Sequence, residues 1–265
     1  MPAKKPKSDY VIQTVINALR LLEAFDGEDE LGVTELSRYL DLHKNNVFRL
    51  LATLEQHGYI EQSADNDRYR LGYRCLELGE AFCRSHALLD RARPVVRDLA
   101  AESGETAHLA VLSAYEVVHI DAEVFPQPIL TGSRVGQRMP VHSTALGKVL
   151  LGCATDECRE TYDRTIVAGR PLSQRTDVTI VDPLKFFEHI RTVAGQGFAL
   201  DIEETEQGLN CAAAPVFDRS GAVVAAVSVS GPSFRSGIDR LMREIVPLVT
   251  GSAGRISQRL GYRIN

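Results

Sequence analysis

Two stretches of helical apolar period follow one another almost without a gap, and this spacing limits the fold more than any other feature of the chain. From Lys44 to His57 the residues Val47, Leu50, Leu51 and Leu54 recur at i, i+3, i+4 and i+7, the stripe of an amphipathic helix. Just before it, TELSRYL carries Leu36 and Leu40 on one face, with Thr34 as the expected N-cap, and only Asp41 and Leu42 form the turn between. An earlier helix, Val11 to Phe25, presents Val15, Ala18, Leu19 and Leu22 and ends at the acidic stretch DGEDELG. Gly58 closes the third helix as its C′ residue, and YIEQSADNDRYRLG reads as two short strands about the turn SADND. Helix, short helix, tight turn, helix and β-hairpin together predict a winged helix-turn-helix.

Further helices are expected from Cys75 to Ser85 and from Leu88 to Glu102, broken near His86 and stopped at Gly104. From Thr106 the pattern turns to strands, AHLAVL, YEVVHIDAEV and PILTG, and then to the polar loop SRVGQRMPVHS. Helices are expected over ALGKVLLG, DECRETY and VDPLKFFEHIRTVAGQ, followed by strand GFALDI, loop EETEQG and a hairpin of LNCAAAPVFD with AVVAAVSVSG. A last helix from Gly237 to Leu260 should bury Ile238, Leu241, Ile245, Leu248 and Val249, with a kink at Pro247. The chain of 265 residues thus divides into a basic arm (1–9), a winged helix-turn-helix (10–73), a linker helix (74–86) and a second domain (87–265), an α+β fold.

Nothing in the chain has the apolar length of a membrane span, and MPAKKPKSDY lacks the apolar run of a signal peptide. A cytoplasmic protein without a membrane partner is expected. Five cysteines with no CxxC pair fit reduced thiols, and the spacings of His86, His108, His119 and His142 with Cys153 or Cys158 match no common zinc pattern. Neither a metal nor a cofactor is expected. The net charge is −5, and residues 1–75 hold ten basic against twelve acidic side chains, so nucleic-acid binding must come from local placement rather than bulk charge.

That placement exists on the third helix. Asn45, Arg49, Ala52 and Gln56 project opposite its apolar stripe, Asn46 and Phe48 flank them, and Lys44 stands at the helix start. Asn suits bidentate pairing with adenine and Arg with guanine, while Lys suits phosphate. Arg68, Tyr69 and Arg70 give the hairpin cationic and hydrogen-bonding reach. The set expected to meet double-stranded DNA is Thr34, Lys44, Asn45, Asn46, Phe48, Arg49, Arg68 and Tyr69.

The second domain offers an anion seat. Ser143 or Thr144 can cap the helix of ALGKVLLG, leaving the N–H groups of Ala145 and Leu146 at its positive end. Asp201 ends a strand, and Cys211, Ser228 and Ser230 share an alternation that sends polar atoms to one side of a sheet. Taken singly, each also has an ordinary reading as a cap, a small buried residue or a locally bonded strand serine. An enzymatic alternative makes Cys211 the nucleophile of a small-molecule hydrolase, with His142 as base and Asp201 as orienter, though no catalytic signature surrounds Cys211.

Three separated motifs, TELSRYLDLHKNNVFRLLATLEQHGYI, VHSTALGKVLLG and GFALDIEETEQGLNCAAAPVFDRSGAVVAAVSVSGP, give the chain a resemblance to IclR-family transcriptional regulators. Gly197, Asp201, Glu204, Gly208, Cys211 and the AAPV stretch match the family's C-terminal signature. The resemblance implies a winged helix-turn-helix, a linker helix used in dimerisation, and a GAF-like effector domain with a curved antiparallel sheet. It implies a regulator, not an enzyme, that binds operator DNA as a homodimer or homotetramer and responds to a small organic acid or aromatic compound. The matching pocket positions are Ala145 and Leu146 by backbone, then Asp201, Cys211, Ser228 and Ser230, with Met139 and Leu209 as apolar lining. The reading helix departs from the family, with Asn45 and Asn46 where a Ser-Thr pair is common, which leaves the operator preference open; Arg49 matches a typical position and suits a phosphate contact. Asp201 would repel an anionic effector unless it is protonated, bonds a ligand hydroxyl or accepts from a backbone N–H.

Overall fold

The computed structural model describes residues 10–127 and 132–263, so the basic arm and most of the expected PILTG strand lie outside the described residues. The chain forms two compact units, Met1–Ser85 and His86–Asn265.

The first unit contains helices α1 (Gln13–Glu23), α2 (Val33–Leu40) and α3 (Lys44–Gln56), strands β1 (Ile60–Gln62) and β2 (Tyr69–Leu71), and helix α4 (Tyr73–Ser85). Leu21, Phe25, Leu36, Leu40, Val47, Leu50, Leu51, Ile60 and Tyr69 make its core, so the stripes read from the sequence meet in one place. Asp41 adopts the left-handed conformation that ends α2, and the Ser37 hydroxyl donates to Leu42 O at 2.6 Å, fixing the turn into α3. The N-cap of α2 is Gly32 rather than Thr34: Glu35 reaches back to accept from the Gly32 N–H at 2.7 Å, so the helix begins at Val33 and Thr34 sits inside its first turn. Gly58, at φ +74, turns the chain out of α3 into the hairpin. Backbone bonds of 2.9 Å in both directions between Leu31 and Tyr69 add a third rung beside the two strands.

The second unit begins with α5 (Ala87–Ser103), capped by a left-handed Gly104. Strands β3 (Thr106–Ser113), β4 (Glu116–Glu123), β5 (Arg138–Met139), β6 (Ala199–Ile202), β7 (Leu209–Phe217) and β8 (Val223–Pro232) form one antiparallel sheet in the order β5-β4-β3-β8-β7-β6. Between β5 and β6 run α6 (Ala145–Gly152), α7 (Asp156–Tyr162), a π-helical turn and α8 (Pro183–Gln196). Residues of α6 and α8 pack with Ala110, Val117, Leu209, Cys211, Ala213 and Ala226, all on one face of the sheet. Strand alternation turns Ala212, Ala214, Val227 and Val229 to the opposite face, where α5 and the C-terminal helix pack.

The C-terminal segment is not a single kinked helix. It consists of α9 (Ile238–Arg240), a π-helical turn over Leu241–Ile245, and α10 (Val246–Arg259). Pro247, which has no N–H to give, is accommodated in the first turn of α10, directly after the widened π turn. Leu241, Ile245 and Val249 are buried as expected, whereas Ile238 is 58% exposed because the helix has not yet reached the sheet at its first turn.

Candidate DNA-binding face and effector pocket

On α3 the sequence stripe buries Val47, Leu50 and Leu51 and leaves Lys44, Asn45, Asn46, Phe48, Arg49 and Ala52 exposed. Among the described residues, no ion pair holds Lys44 or Arg49, and the side chains of Asn45 and Asn46 make no hydrogen bond. Asn46 and Arg49 share a groove with Thr14 and Asn17 from the α1 region, so the free face extends beyond α3 itself. Thr34 is exposed in the first turn of α2.

The wing residues are placed differently from one another. Arg68 donates to Glu30 O at 2.9 Å and pairs with Glu35 at 2.8 Å, which ties the hairpin to α2. Tyr69 is 3% exposed and belongs to the core, and burial lifts its phenol pKa above the ordinary value. Its neighbour Arg70 is the outward cation of β2, paired with Glu61 at 3.3 Å.

In the second unit, one small cleft is lined by Met139, Ala145, Leu146, Asp201, Leu209, Cys211, Ser228 and Ser230, together with His119, Arg134, Thr144 and Thr205. The first eight are the residues picked out from sequence, and strand register explains their meeting. Ser230 on β8 stands opposite Cys211 on β7, which stands opposite Asp201 on β6, so one cross-strand row carries three of them. Ser228 lies two residues along the same face.

The α6 start closes the cleft from above. Thr144 is the cap, its hydroxyl oxygen accepting from Gly147 N at 3.0 Å, while no hydrogen bond among the described residues uses the N–H of Ala145 or Leu146. Gly147 permits this placement: a Cβ there would lie 2.4 Å from the Val141 backbone, so any larger residue pushes the helix start away.

A buried charge cluster sits at this helix start. Lys148 is fully buried, donating from Nζ to Leu200 O at 2.9 Å and to Glu204 Oε1. Burial pushes the Glu204 and Asp201 carboxyls above the usual carboxylate range, against the pull of Lys148. Asp201 Oδ1 accepts from the N–H groups of Glu204 at 2.8 Å and Thr205 at 3.2 Å, which holds the tight turn where Glu203 adopts φ +56. The Thr205 hydroxyl then donates to Ser143 O at 2.9 Å, joining that loop to the α6 start. Asp201 therefore has backbone partners that absorb its charge, one of the arrangements that reconciles it with an anionic ligand.

Arg134 reaches the cleft from the loop before β5, its guanidinium 2.7 Å from Glu206. His119 comes from β4. These two and Thr205 were missed as pocket residues; the available signal for His119 was its period-two spacing from Val117, which packs in the same core. Arg134 lies in an irregular loop and carried no periodic signal.

The hydrolase arrangement does not assemble. His142 bonds Ser173 O at 2.8 Å through Nε2, Asp201 is engaged by backbone, and burial drives the Cys211 thiol far from its thiolate form. Among the described residues no group of three His, Cys, Asp or Glu side chains is arranged to hold a metal ion.

Residues 14–64 match the family model described as the IclR helix-turn-helix domain, and residues 81–258 match that of the bacterial transcriptional regulator IclR C-terminal domain. The HTH-type transcriptional regulator KdgR of Escherichia coli (strain K12) is 34% identical over 98% of this chain and 95% of its own. The crystal structure of the Thermotoga maritima IclR has a TM-score of 0.76 at 29% identity, covering 94% of this chain and 99% of that one. An IclR homolog from Microbacterium hydrocarbonoxydans complexed with 4-hydroxybenzoate shares the fold, with a TM-score of 0.79 at 24% identity over 93% of this chain and 98% of its own. The relatives are named as transcriptional regulators, and with both halves matched in family order this chain belongs to the IclR family of bacterial transcriptional regulators, with a helix-turn-helix DNA-binding domain and a C-terminal effector-binding domain.

Proposed function

We propose that a small organic acid or aromatic carboxylate binds the cleft of the second unit and changes the affinity of the winged helices for an operator. The observation that carries this reading is the convergence of two free helix N–H groups with Asp201, Cys211, Ser228 and Ser230 about one cleft. Helix N-termini favour anions, and the serine hydroxyls supply directional bonds to the same group. Met139, Leu146 and Leu209 offer apolar contact to the rest of the molecule.

On the DNA side, Asn45, Asn46 and Arg49 enter the major groove, Lys44 and Thr34 meet phosphates, and Phe48 lies along the groove wall. Arg68 and Tyr69 act in this reading by shaping the wing, which presents Arg70. The active species is a homodimer or a dimer of dimers. Support comes from α4, which buries no residue of its own and exposes Tyr73, Leu76, Leu78 and Phe82, and from exposed Val15 and Leu19 on α1. No helix is long and apolar enough to cross a membrane among the described residues. The protein acts where the chromosome is, in the cytoplasm.

The effector must bind the DNA-competent and incompetent arrangements unequally, and a coupling of about 1–3 kcal/mol changes operator affinity about 5- to 150-fold. The test is binding to a labelled fragment from upstream of the protein's own gene, with nonspecific competitor and a genome-wide fragment selection alongside. Competitor-resistant binding that Asn45→Ala/Arg49→Ala abolishes is the expected result. An acid that shifts this binding in the wild type, but not in Ser228→Ala/Ser230→Ala, assigns the cleft. Failure of both the fragment and the selection to yield a bound site refutes the regulatory reading.

A further inference from the structure

Residues 1–75 carry no net positive charge to hold a polyanion, and the wing gives little help. The hairpin stretch 60–71 sets Glu61, Asp65 and Asp67 against Arg68 and Arg70, and both arginines are paired, Arg68 with Glu35 and Arg70 with Glu61. The loop ahead of α2 adds Asp26, Glu28, Asp29 and Glu30, and Asn66 of the hairpin donates to Glu30 at 2.7 Å, so these acids lie beside the wing. Roughly half or more of the hydrogen bonds between a protein and a DNA duplex go to its backbone, so the grip on phosphate has to come from another face.

That face is the groove between α1 and α3, whose polar lining is Thr14, Asn17, Asn46, Arg49 and Thr53, with no carboxylate among its residues. Among the described residues no hydrogen bond or ion pair uses the side chains of Thr14, Asn46 or Arg49. Asn17 is held in one sense: its Oδ1 accepts from Gln13 Nε2 at 3.0 Å, which leaves its own NH₂ group as the free end. The Thr53 hydroxyl donates to Arg49 O at 2.8 Å and is spent there. Donors therefore dominate the wall: a guanidinium that has no acceptor, the Asn17 and Asn46 NH₂ groups and the Thr14 hydroxyl. A phosphodiester, whose two anionic oxygens only accept, matches it. The place fits as well, because the major groove admits a single helix; with α3 inside it, α1 meets the groove's wall, where the phosphates stand.

We propose that the groove between α1 and α3 seats a backbone phosphate of the operator, with Arg49 as its cation and Thr14, Asn17 and Asn46 as hydrogen-bond donors. Gln13 is a positioning residue that turns the Asn17 NH₂ outward. Base reading on α3 then falls to Asn45, which stands outside this groove. This rests on the reading of α3 as the helix that enters the major groove.

The experiment follows binding of the full chain by fluorescence anisotropy at several salt concentrations. The probes are an operator duplex from the fragment selection, a random-sequence duplex of equal length, and operator duplexes carrying one neutral methylphosphonate each. Asn17→Asp keeps the bond from Gln13 and the side-chain shape but turns a carboxylate toward the phosphate; it weakens binding to both plain duplexes alike, by at least about tenfold. Asn17→Ala and Gln13→Ala weaken both by about three- to tenfold, as one neutral hydrogen bond provides, with the salt dependence unchanged. Arg49→Met lowers the slope of log K against log salt by about 0.9 for each seat occupied. At one backbone position the methylphosphonate weakens the wild type about tenfold or more and costs Arg49→Met and Asn17→Ala much less. If no position couples to Arg49 or Asn17, or if Asn17→Asp binds as the wild type does, the phosphate seat is overturned while the operator reading stands. Arg49→Met losing affinity for the operator alone, with random duplex bound as before, makes Arg49 a base reader and overturns the seat in the same way. A wild type that binds the two plain duplexes equally overturns the operator reading, and the seat falls with it.

Discussion

Mild acid should open the second unit through two residues, and the size of the effect follows from their burial. His108 and His119 have folded-state pKa values of about 3 and about 4, set first by burial and lowered further for His108 by the neighbouring ring and for His119 by Arg134. Unfolded, each titrates near 6.5, so below that pH the unfolded chain binds two protons that the folded chain refuses. Their contribution to stability is complete above the unfolded value and drains away as pH falls toward 4. Between about pH 7.5 and about pH 5 each ring costs about 2 kcal/mol, and the pair about 4 kcal/mol. Asp121, Asp201 and Glu204, whose pKa values burial raises, act with the opposite sign over their own range, and His142 and His189 add to the loss. The quantity to compare is accordingly the difference between wild type and His108→Gln/His119→Phe. Urea titrations at several pH values, with the unfolded fraction of the β7–β8 hairpin read by pulsed amide exchange at one pulse pH, report this unit alone. The double variant should lose about 4 kcal/mol less than the wild type across that range. Parallel losses in the two proteins would refute the argument that buried neutral histidines control the acid limit.

Two further outcomes follow from the packing. Lys148→Met leaves Glu204 buried without its cation and should cost about 3–5 kcal/mol in the same urea assay, most of it recovered in Lys148→Met/Glu204→Leu; equal stability of single and double variants would show that the pair is not coupled. Leu76→Lys/Leu78→Lys on the exposed face of α4 should shift sedimentation toward monomer and lower operator affinity at nanomolar protein while leaving effector binding intact, and an unchanged oligomer would remove α4 from the interface.

The sequence carried the elements of both units because their apolar periods are strong and their ends are marked by residues with one favoured backbone. Gly58, Gly104 and Gly197 stop α3, α5 and α8 in the left-handed conformation that only a residue without a Cβ takes cheaply. The eight pocket positions came from strand alternation and from the family resemblance together. Alternation alone could place Ser228 with Ser230, but not opposite His108, since that pairing depends on which strand neighbours β8. What stayed hidden was set by long-range choices. Glu35 moved the α2 cap to Gly32 by reaching backward, Tyr69 went inward because Leu31 pairs with its backbone, and Ile238 stayed outside because the π turn delays contact with the sheet. His119 keeps the period-two spacing from Val117, but the register shift between Leu109 and Ala110 breaks that alternation beyond it, which no local pattern announces.

The pocket's charges also bear on which anion it can take. A site built from free lysines and arginines would hold phosphate or a dicarboxylate as readily as an acid with one charge. Here the fully buried Lys148 is engaged by Glu204 and Leu200 O, and Arg134 already faces Glu206. An entering carboxylate therefore meets dipoles rather than a free positive charge, the N–H groups of Ala145 and Leu146, with two carboxyl groups close behind them. A second negative charge on the ligand would find no cation left to pair with it, since Glu204 and Glu206 already take Lys148 and Arg134. On the proposed reading, selectivity comes from this shortage: the helix end offers its dipoles to one charge, and a second would lose its hydration without gaining a partner. Asp201 in turn holds the turn that fastens Thr205 to Ser143, so the shape of the seat depends on that one side chain.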